Sequence, residues 1–150
     1  MNRKLLTILI AIVVIGLCGL SVWKYVNQPT HDYKATKAEQ HFDMKEIAAK
    51  ADKGDTLFLK SLIGKVLEVS GVIHSMSADS ASITIEMTDS TSNTSLVCQA
   101  DKRHLEDFYN LNLSMRQTIK GYFTGFNEDL DLGLGNTLQM SYCSLDRKPH

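Results

Sequence analysis

An almost purely apolar run from Leu5 to Val22 is the strongest pattern in the chain, and it contains no charged residue. As a helix rising about 1.5 Å per residue, this run would reach about 27 Å, close to the thickness of a membrane's hydrocarbon layer. Basic and aromatic residues flank it, as is typical of membrane interfaces: Arg3, Lys4, Trp23, Lys24 and Tyr25. We therefore expect a single-pass anchor at residues 5–23 of a bacterial inner membrane. Residues 1–4 would form a cytoplasmic tip, and the C-terminal domain would be periplasmic.

Two other interpretations of this segment stay open. Gly19-Leu20-Ser21 has the small-x-small pattern of a signal-peptide cleavage site. Cys18 could instead be the acylated cysteine of a lipoprotein, although Leu17 before it is larger than the residue expected there. All three interpretations place the domain on the same side of the membrane.

A helical pattern follows a polar linker at residues 24–35. Thr36 and Glu39 fit a helix-capping box. The next apolar positions have the i, i+3, i+4, i+7 spacing of a helix face: Met44, Ile47, Ala48 and Ala51. We expect this helix to end near Gly54 and a second, shorter helix to cover residues 56–62.

Beyond this helical lead-in, residues 36–63, the apolar period changes to two. Alternating segments start at five positions: Leu67, Ile83, Leu96, Ile119 and Thr137. Residues 102–110 have helical spacing and separate the third segment from the fourth. Five strands with a helix between the third and fourth is the order of an OB-fold barrel. The sequence therefore predicts a mainly β domain over residues 64–147.

Several short motifs carry a family resemblance. They are Leu62-Ile63-Gly64-Lys65-Val66-Leu67-Glu68-Val69-Ser70-Gly71-Val72-Ile73, Val97-Cys98, Ile119-Lys120-Gly121 and Tyr142-Cys143. With them, residues 44–145 resemble the tRNA-anticodon-binding-like OB family of small bacterial envelope proteins. The resemblance implies a barrel fold, but it implies no established substrate and no catalytic residues.

Charge counts against nucleic-acid binding by this barrel. Beyond Lys24 the chain has 13 basic and 17 acidic residues, so its net charge is −4 with histidine neutral. The outer face that an OB-fold normally uses for nucleic acid offers no cation and no aromatic ring: Thr84, Glu86, Thr88, Ser95, Val97 and Gln99. Binding of single-stranded nucleic acid is therefore kept only as an alternative function.

Two cysteines fall in the third and fifth strands, which are neighbours in an OB barrel. In an oxidising compartment, Cys98 and Cys143 would be candidates for a disulfide. Two buried thiols that pack as small apolar groups are the alternative.

A weak candidate binding surface comes from two sets of side chains. Tyr122, Phe126 and Tyr142 could form an aromatic patch, or they could pack against the barrel or the lead-in helices. In the last hairpin Leu130, Leu132 and Leu134 alternate, which would give an apolar arm able to contact a partner.

No catalytic or metal motif accompanies these features in the sequence. The five histidines lack metal-ligand spacing, His104 fits a solvated helix position, and there is no G-x-S-x-G elbow. We expect no cofactor, no metal and no enzymatic activity. The leading prediction is a membrane-anchored binding or scaffold module with an envelope protein as partner. Enzymatic activity from a dispersed site is the third possibility.

Overall fold

The computed structural model describes residues 16, 18–19, 31–79, 82–109, 111, 113, 115–129 and 135–146. The chain divides into two units, Met1–His31 and Asp32–His150. In the first unit the described residues Gly16, Cys18 and Gly19 are helical, and the rest of the expected anchor lies outside the described residues. Among the residues that the structure describes, no helix has both the length and the hydropathy needed to cross a membrane.

The second unit is mainly β. Its strands are β1 Gln40–Asp43, β2 Val66–Ala78, β3 Ile83–Thr88, β4 Ser95–Ala100, β5 Arg116–Asp129 and β6 Gly135–Leu145. Its helices are α1 Met44–Asp52 and α2 Thr56–Leu62, and a single 3₁₀ turn covers Leu105–Asp107.

Strands β2 to β6 close into a five-stranded barrel in the order β2-β3-β4-β6-β5, with β5 pairing back to β2. The long strand β2 makes closure possible, because its first half pairs with β5 and its second half pairs with β3. The third and fifth barrel strands, β4 and β6, run parallel to each other. The prediction that these two strands are neighbours is confirmed, and the strand order is consistent with an OB-like fold.

The apolar side chains that alternate along the strands point into the barrel and form the core, as the sequence predicts. Every second residue of β3 is buried, namely Ile83, Ile85 and Met87, and β4 repeats the pattern. Helix α1 also buries the apolar face that its spacing predicts. Gly54 and Gly64 adopt φ values of +68° and +87°, so both helices end where left-handed glycines allow the chain to turn.

The expected start of the first helix is wrong. Residues 40–43 form β1, which runs parallel to β2, and α1 begins only at Met44. Asp43 is the actual N-cap, since its carboxylate accepts a hydrogen bond from the backbone N–H of Lys45 at 3.0 Å. The capping box at Thr36 and Glu39 is not used, because the Glu39 N–H donates to the carbonyl of Val66 at the edge of the sheet.

The helix expected at residues 102–110 is also reduced, to the 3₁₀ turn. Successive N–H groups donate to carbonyls three residues back, from Asp107 to His104 and from Phe108 to Leu105, which is 3₁₀ and not α-helical bonding. The turn brings Phe108 into the core, where its side chain is fully buried. Burial of that ring and the side-chain bonds of Asp101 decide this local conformation over helical spacing.

Candidate functional site

Three tyrosines meet on the outer surface of β5 and β6, and we call them the tyrosine cluster. The ring of Tyr33 lies 5.1 Å from the ring of Tyr122 and 5.4 Å from that of Tyr142, measured between centroids. Both distances are typical of favourable aromatic pairs. The structure thus brings together two of the predicted aromatic residues through a third, Tyr33, which the sequence places in the linker.

A bulge in β6 turns Tyr142 outward. Leu138 and Met140 point into the barrel, and a regular strand would point Tyr142 inward as well. Instead the register of β6 shifts against both neighbours near this position, and Cys143 takes the inward place. Tyr142 has φ +56° and is the only non-glycine residue with positive φ among those described. Its side chain is 39% exposed.

Ion pairs fix the residues on either side of Tyr33. His104 Nε2 lies 3.2 Å from the carboxylate of Asp32, and Lys34 pairs with Asp107. These contacts correct the expectation for His104, whose side chain is only 19% exposed and is bonded to Asp32. In the linker sequence, Tyr33 stands between the oppositely charged Asp32 and Lys34. This is the one local signal that could have indicated that the linker packs against the barrel.

The neighbouring carboxylates are electrostatically stabilised. Hydrogen bonds from the Arg103 side chain, followed by its backbone N–H, hold the pKa of Asp101 below its usual value despite burial. Burial would raise the pKa of Asp32, but the Lys34 N–H and His104 outweigh it and lower that pKa. Arg103 lies close enough to Tyr142 for the guanidinium and the phenol oxygen to influence each other, which places this network beside the tyrosine cluster.

Asp32, Asp101 and His104 are the described residues that could offer ligand atoms to one metal ion, with donor atoms within 4.8 Å of one another. The guanidinium of Arg103 already binds both oxygens of Asp101, at 2.9 and 2.5 Å. A cation would have to compete with that bidentate pair, so we interpret the group as an ion-pair network.

A groove of about 310 Å³ lies next to the tyrosine cluster on the outer face of the barrel. We call it the neutral groove, because none of its lining residues is charged: Thr84, Val97, Gln99, Thr124, Thr137, Gln139, Met140 and Ser141. Ser141 is the strand partner of Tyr122, so the groove and the tyrosine cluster are continuous across β5 and β6. The groove also includes three residues of the face on which nucleic acid would be expected, Thr84, Val97 and Gln99.

The remaining predicted site residues are not part of this surface. Phe126 is partly buried and packs against the core. The three leucines of the expected apolar arm, Leu130, Leu132 and Leu134, lie outside the described residues.

Cys98 and Cys143 are neighbours in the core. Both are fully buried thiols, and burial together with a hydrogen bond to Cys98 raises the pKa of Cys143. This arrangement corresponds to the alternative of two packed thiols. The disulfide stays a prediction for an oxidising compartment.

Comparisons with known proteins support the architecture. No family model matches the chain, and no curated protein matches it. A crystal structure of a "putative nucleic acid-binding lipoprotein" from Klebsiella pneumoniae subsp. pneumoniae MGH 78578 is similar, with a TM-score of 0.56 and 16% identity. The match covers 80% of this chain and 100% of that one. A second structure, "OBody NL8 bound to hen egg-white lysozyme", gives a TM-score of 0.38 and 14% identity over 57% of this chain and 99% of that one. At such identity the first likeness shows the fold alone.

Proposed function

We propose that this chain is a non-catalytic binding module of the bacterial envelope, built on an OB-like barrel of the tRNA-anticodon-binding-like family. Residues 5–23 would tether it to the inner membrane, with the barrel on the periplasmic side. The observation that carries the proposal is the continuous outer surface formed by the neutral groove and the tyrosine cluster.

The conformation of Tyr142 supports a binding role for this surface. A left-handed backbone costs an ordinary residue about 1–2 kcal/mol, and such outliers persist where the surrounding structure enforces them, often at functional sites. Here the strained residue is a large aromatic that stays 39% exposed beside a groove. A side chain that served only the core would have been buried by the regular strand, without the bulge.

Photo-crosslinking in the native envelope tests this function. The full chain would carry a photoreactive residue at Gln139, inside the neutral groove, or at Glu46, an exposed position on α1. We expect a discrete crosslinked product from position 139 and none of that size from position 46. Identical product patterns from both positions, or no product from position 139, would argue against a binding role for this surface.

Protease accessibility of the full chain tests the tether. We expect protease added to intact spheroplasts to degrade the barrel while the chain remains in the membrane fraction before digestion. A barrel protected in spheroplasts and digested only after lysis would contradict the proposed topology.

Single-stranded nucleic acid is a second candidate, because the tyrosine cluster provides rings for base stacking and lies next to Arg103. The name of the Klebsiella protein points in the same direction. Binding of a fluorescent 15-mer of thymidine should then weaken steeply between about 50 and 200 mM salt. It should also be lost in Tyr142→Ala. Flat titrations at micromolar protein would remove this candidate.

A further inference from the structure

We propose that a pocket at a break in the sheet binds the carboxyl-terminal end of a peptide, in which an apolar residue carries the terminal carboxylate. The pocket has a volume of about 740 Å³ and lies between the ends of β1 and β3, next to the start of β5. We call it the gap pocket. None of its lining residues belongs to the neutral groove. The inference therefore goes beyond the function proposed above and is tested independently of it.

Interrupted strand pairing forms the gap pocket. Strand β1 ends with Asp43 opposite Ser70, and β3 pairs with the same edge of β2 only from Ile73 onward. Among the described residues, no strand is in register with Gly71 or Val72 on this edge, and β5 covers only their other edge. The resulting cleft has a volume typical of ligand sites, which run from about 300 to 1,000 Å³.

Exposed apolar side chains collect at this pocket. Val72 and Leu113 line it, and Met115 directly precedes Arg116, which also lines it. They are three of the seven large apolar side chains that are exposed among the described residues. Apolar groups concentrated at one place on a surface mark an interaction site, so we expect the ligand to bring an apolar side chain.

Two basic side chains of the gap pocket are uncommitted. Lys45 and His74 are exposed, and neither side chain makes an ion pair or a hydrogen bond with another described residue. The third cation, Arg116, pairs with Asp43, whose carboxylate also caps α1. Because those two charges compensate each other, a ligand carboxylate can gain a charge-assisted hydrogen bond from Lys45 without breaking an existing pair.

The rest of the lining calls for a ligand that also donates hydrogen bonds. Asp89 Oδ2 accepts from the backbone N–H of Thr91 at 3.3 Å and from its hydroxyl, whereas Asp89 Oδ1 has no partner among the described residues. The hydroxyls of Thr88 and Ser90 line the pocket beside it. A simple aliphatic carboxylate has no N–H group for Asp89. The end of a peptide supplies the carboxylate, the apolar side chain and the amide N–H together.

Nuclear magnetic resonance of the full chain in dodecyl maltoside micelles tests this proposal. The probes are N-acetyl-Ala-Val-Leu with a free carboxylate, the same peptide with a C-terminal amide, and 4-methylpentanoate, which has the leucine side chain and the carboxylate but no amide. We expect the free acid to shift the backbone amide signals of Lys45, Val72 and His74 with a dissociation constant of about 1 mM. The other two probes should each bind at least about fivefold more weakly, because the first lacks the charge for Lys45 and the second lacks the N–H for Asp89.

Matched variants locate the site. Lys45→Gln combined with His74→Gln removes both uncommitted basic groups and should raise the dissociation constant of the free acid about fivefold or more. Lys60→Gln makes the same change at an exposed position of α2 outside the pocket and should change that constant less than about twofold. Val72→Thr replaces a methyl group by a hydroxyl with little change of shape and should weaken binding about threefold. The side-chain amide signal of Gln139, in the neutral groove, should stay unshifted throughout.

Four results would overturn the inference. They are no shift with about 20 mM free acid, equal binding of the amide, equal binding of 4-methylpentanoate, or unchanged affinity in the double variant of Lys45 and His74. Equal binding of 4-methylpentanoate would make the ligand a simple aliphatic carboxylate and not a peptide. None of these results bears on the crosslinked product from position 139, so the proposed binding function would stand if this inference failed.

Discussion

Gly121 offers the sharpest test of how tightly the barrel is packed. It lies in β5 and faces the core, where a Cβ atom would sit 2.7 Å from Cys143 Sγ, 3.1 Å from Met140 Cε and 3.2 Å from the Ser141 carbonyl oxygen. Protein interiors are close-packed, so the added methyl group must displace its neighbours. Overpacking of this kind costs about 1–3 kcal/mol, and we expect Gly121→Ala to lower the free energy of unfolding by about 2 kcal/mol.

The nearest clash identifies a compensating change. Cys143→Ala removes the Sγ atom and should itself cost about 1–2 kcal/mol, because it leaves a small cavity. In the double variant the new methyl group fills part of that space. The two costs should therefore not add, and we expect a favourable coupling energy of about 1 kcal/mol. The contacts to Met140 and Ser141 keep the compensation incomplete.

Gly71 provides a matched control for this cycle. A Cβ atom there would lie 2.7 Å from Met44 Cβ and 2.9 Å from Met87 Cε, so Gly71→Ala should cost a similar amount. It does not meet Cys143, and its effect should add to that of Cys143→Ala. Unfolding in urea under reducing conditions, followed by circular dichroism of the full chain, gives all the free energies. If the costs of Gly121→Ala and Cys143→Ala add within about 0.3 kcal/mol in the double variant, the packing argument is refuted.

Four further outcomes are expected. Arg103 lowers the pKa of Asp101 in the folded state. The stabilisation that ionised Asp101 provides is therefore fully present above its pKa in the unfolded chain, and it is lost as the pH falls through its pKa in the folded chain. The urea concentration at the unfolding midpoint should therefore decrease below about pH 4, and it should decrease less in Asp101→Asn. Chain taken from an oxidising compartment should show one alkylated cysteine under denaturing, non-reducing conditions and three after reduction; three in both samples would exclude the Cys98–Cys143 disulfide. Tyr142→Gly should be about 1 kcal/mol more stable than Tyr142→Ala, the reverse of the order in a regular strand, because of its positive φ. Val13→Arg should release much of the chain from membranes extracted at alkaline pH, given a cost of about 2.5–3.5 kcal/mol for a charge at the centre of a spanning helix.

Much of the barrel could be predicted because burial has a simple period in each strand. Ile83, Ile85 and Met87 alternate with partly exposed residues, and a one-residue slip would have exposed all three. The beginning of α1 could not be predicted in the same way. Residues 40–43 bond to β2, a partner distant in sequence, and that pairing overrides the local capping signal at Thr36.

The candidate site was harder to predict, because it depends on a break in the pattern. Alternation in β6 assigns Tyr142 to the interior, and only the register shift against β4 and β5 turns it outward. Tyr33 reaches the same place from the linker, held by ion pairs to residues about 70 positions later in the chain, such as that between Asp32 and His104. Neither event has a local sequence signal of sufficient strength.

The distribution of charge around this surface counts against a nucleic acid as its ligand. Two cations near the tyrosine cluster are already engaged, since Arg103 binds Asp101 and Lys34 pairs with Asp107. Recruiting either one to a phosphate would break an existing ion pair, and the remaining carboxylate would repel the ligand. The salt titration with thymidine oligomers therefore tests this argument: micromolar binding with a steep salt dependence would contradict it.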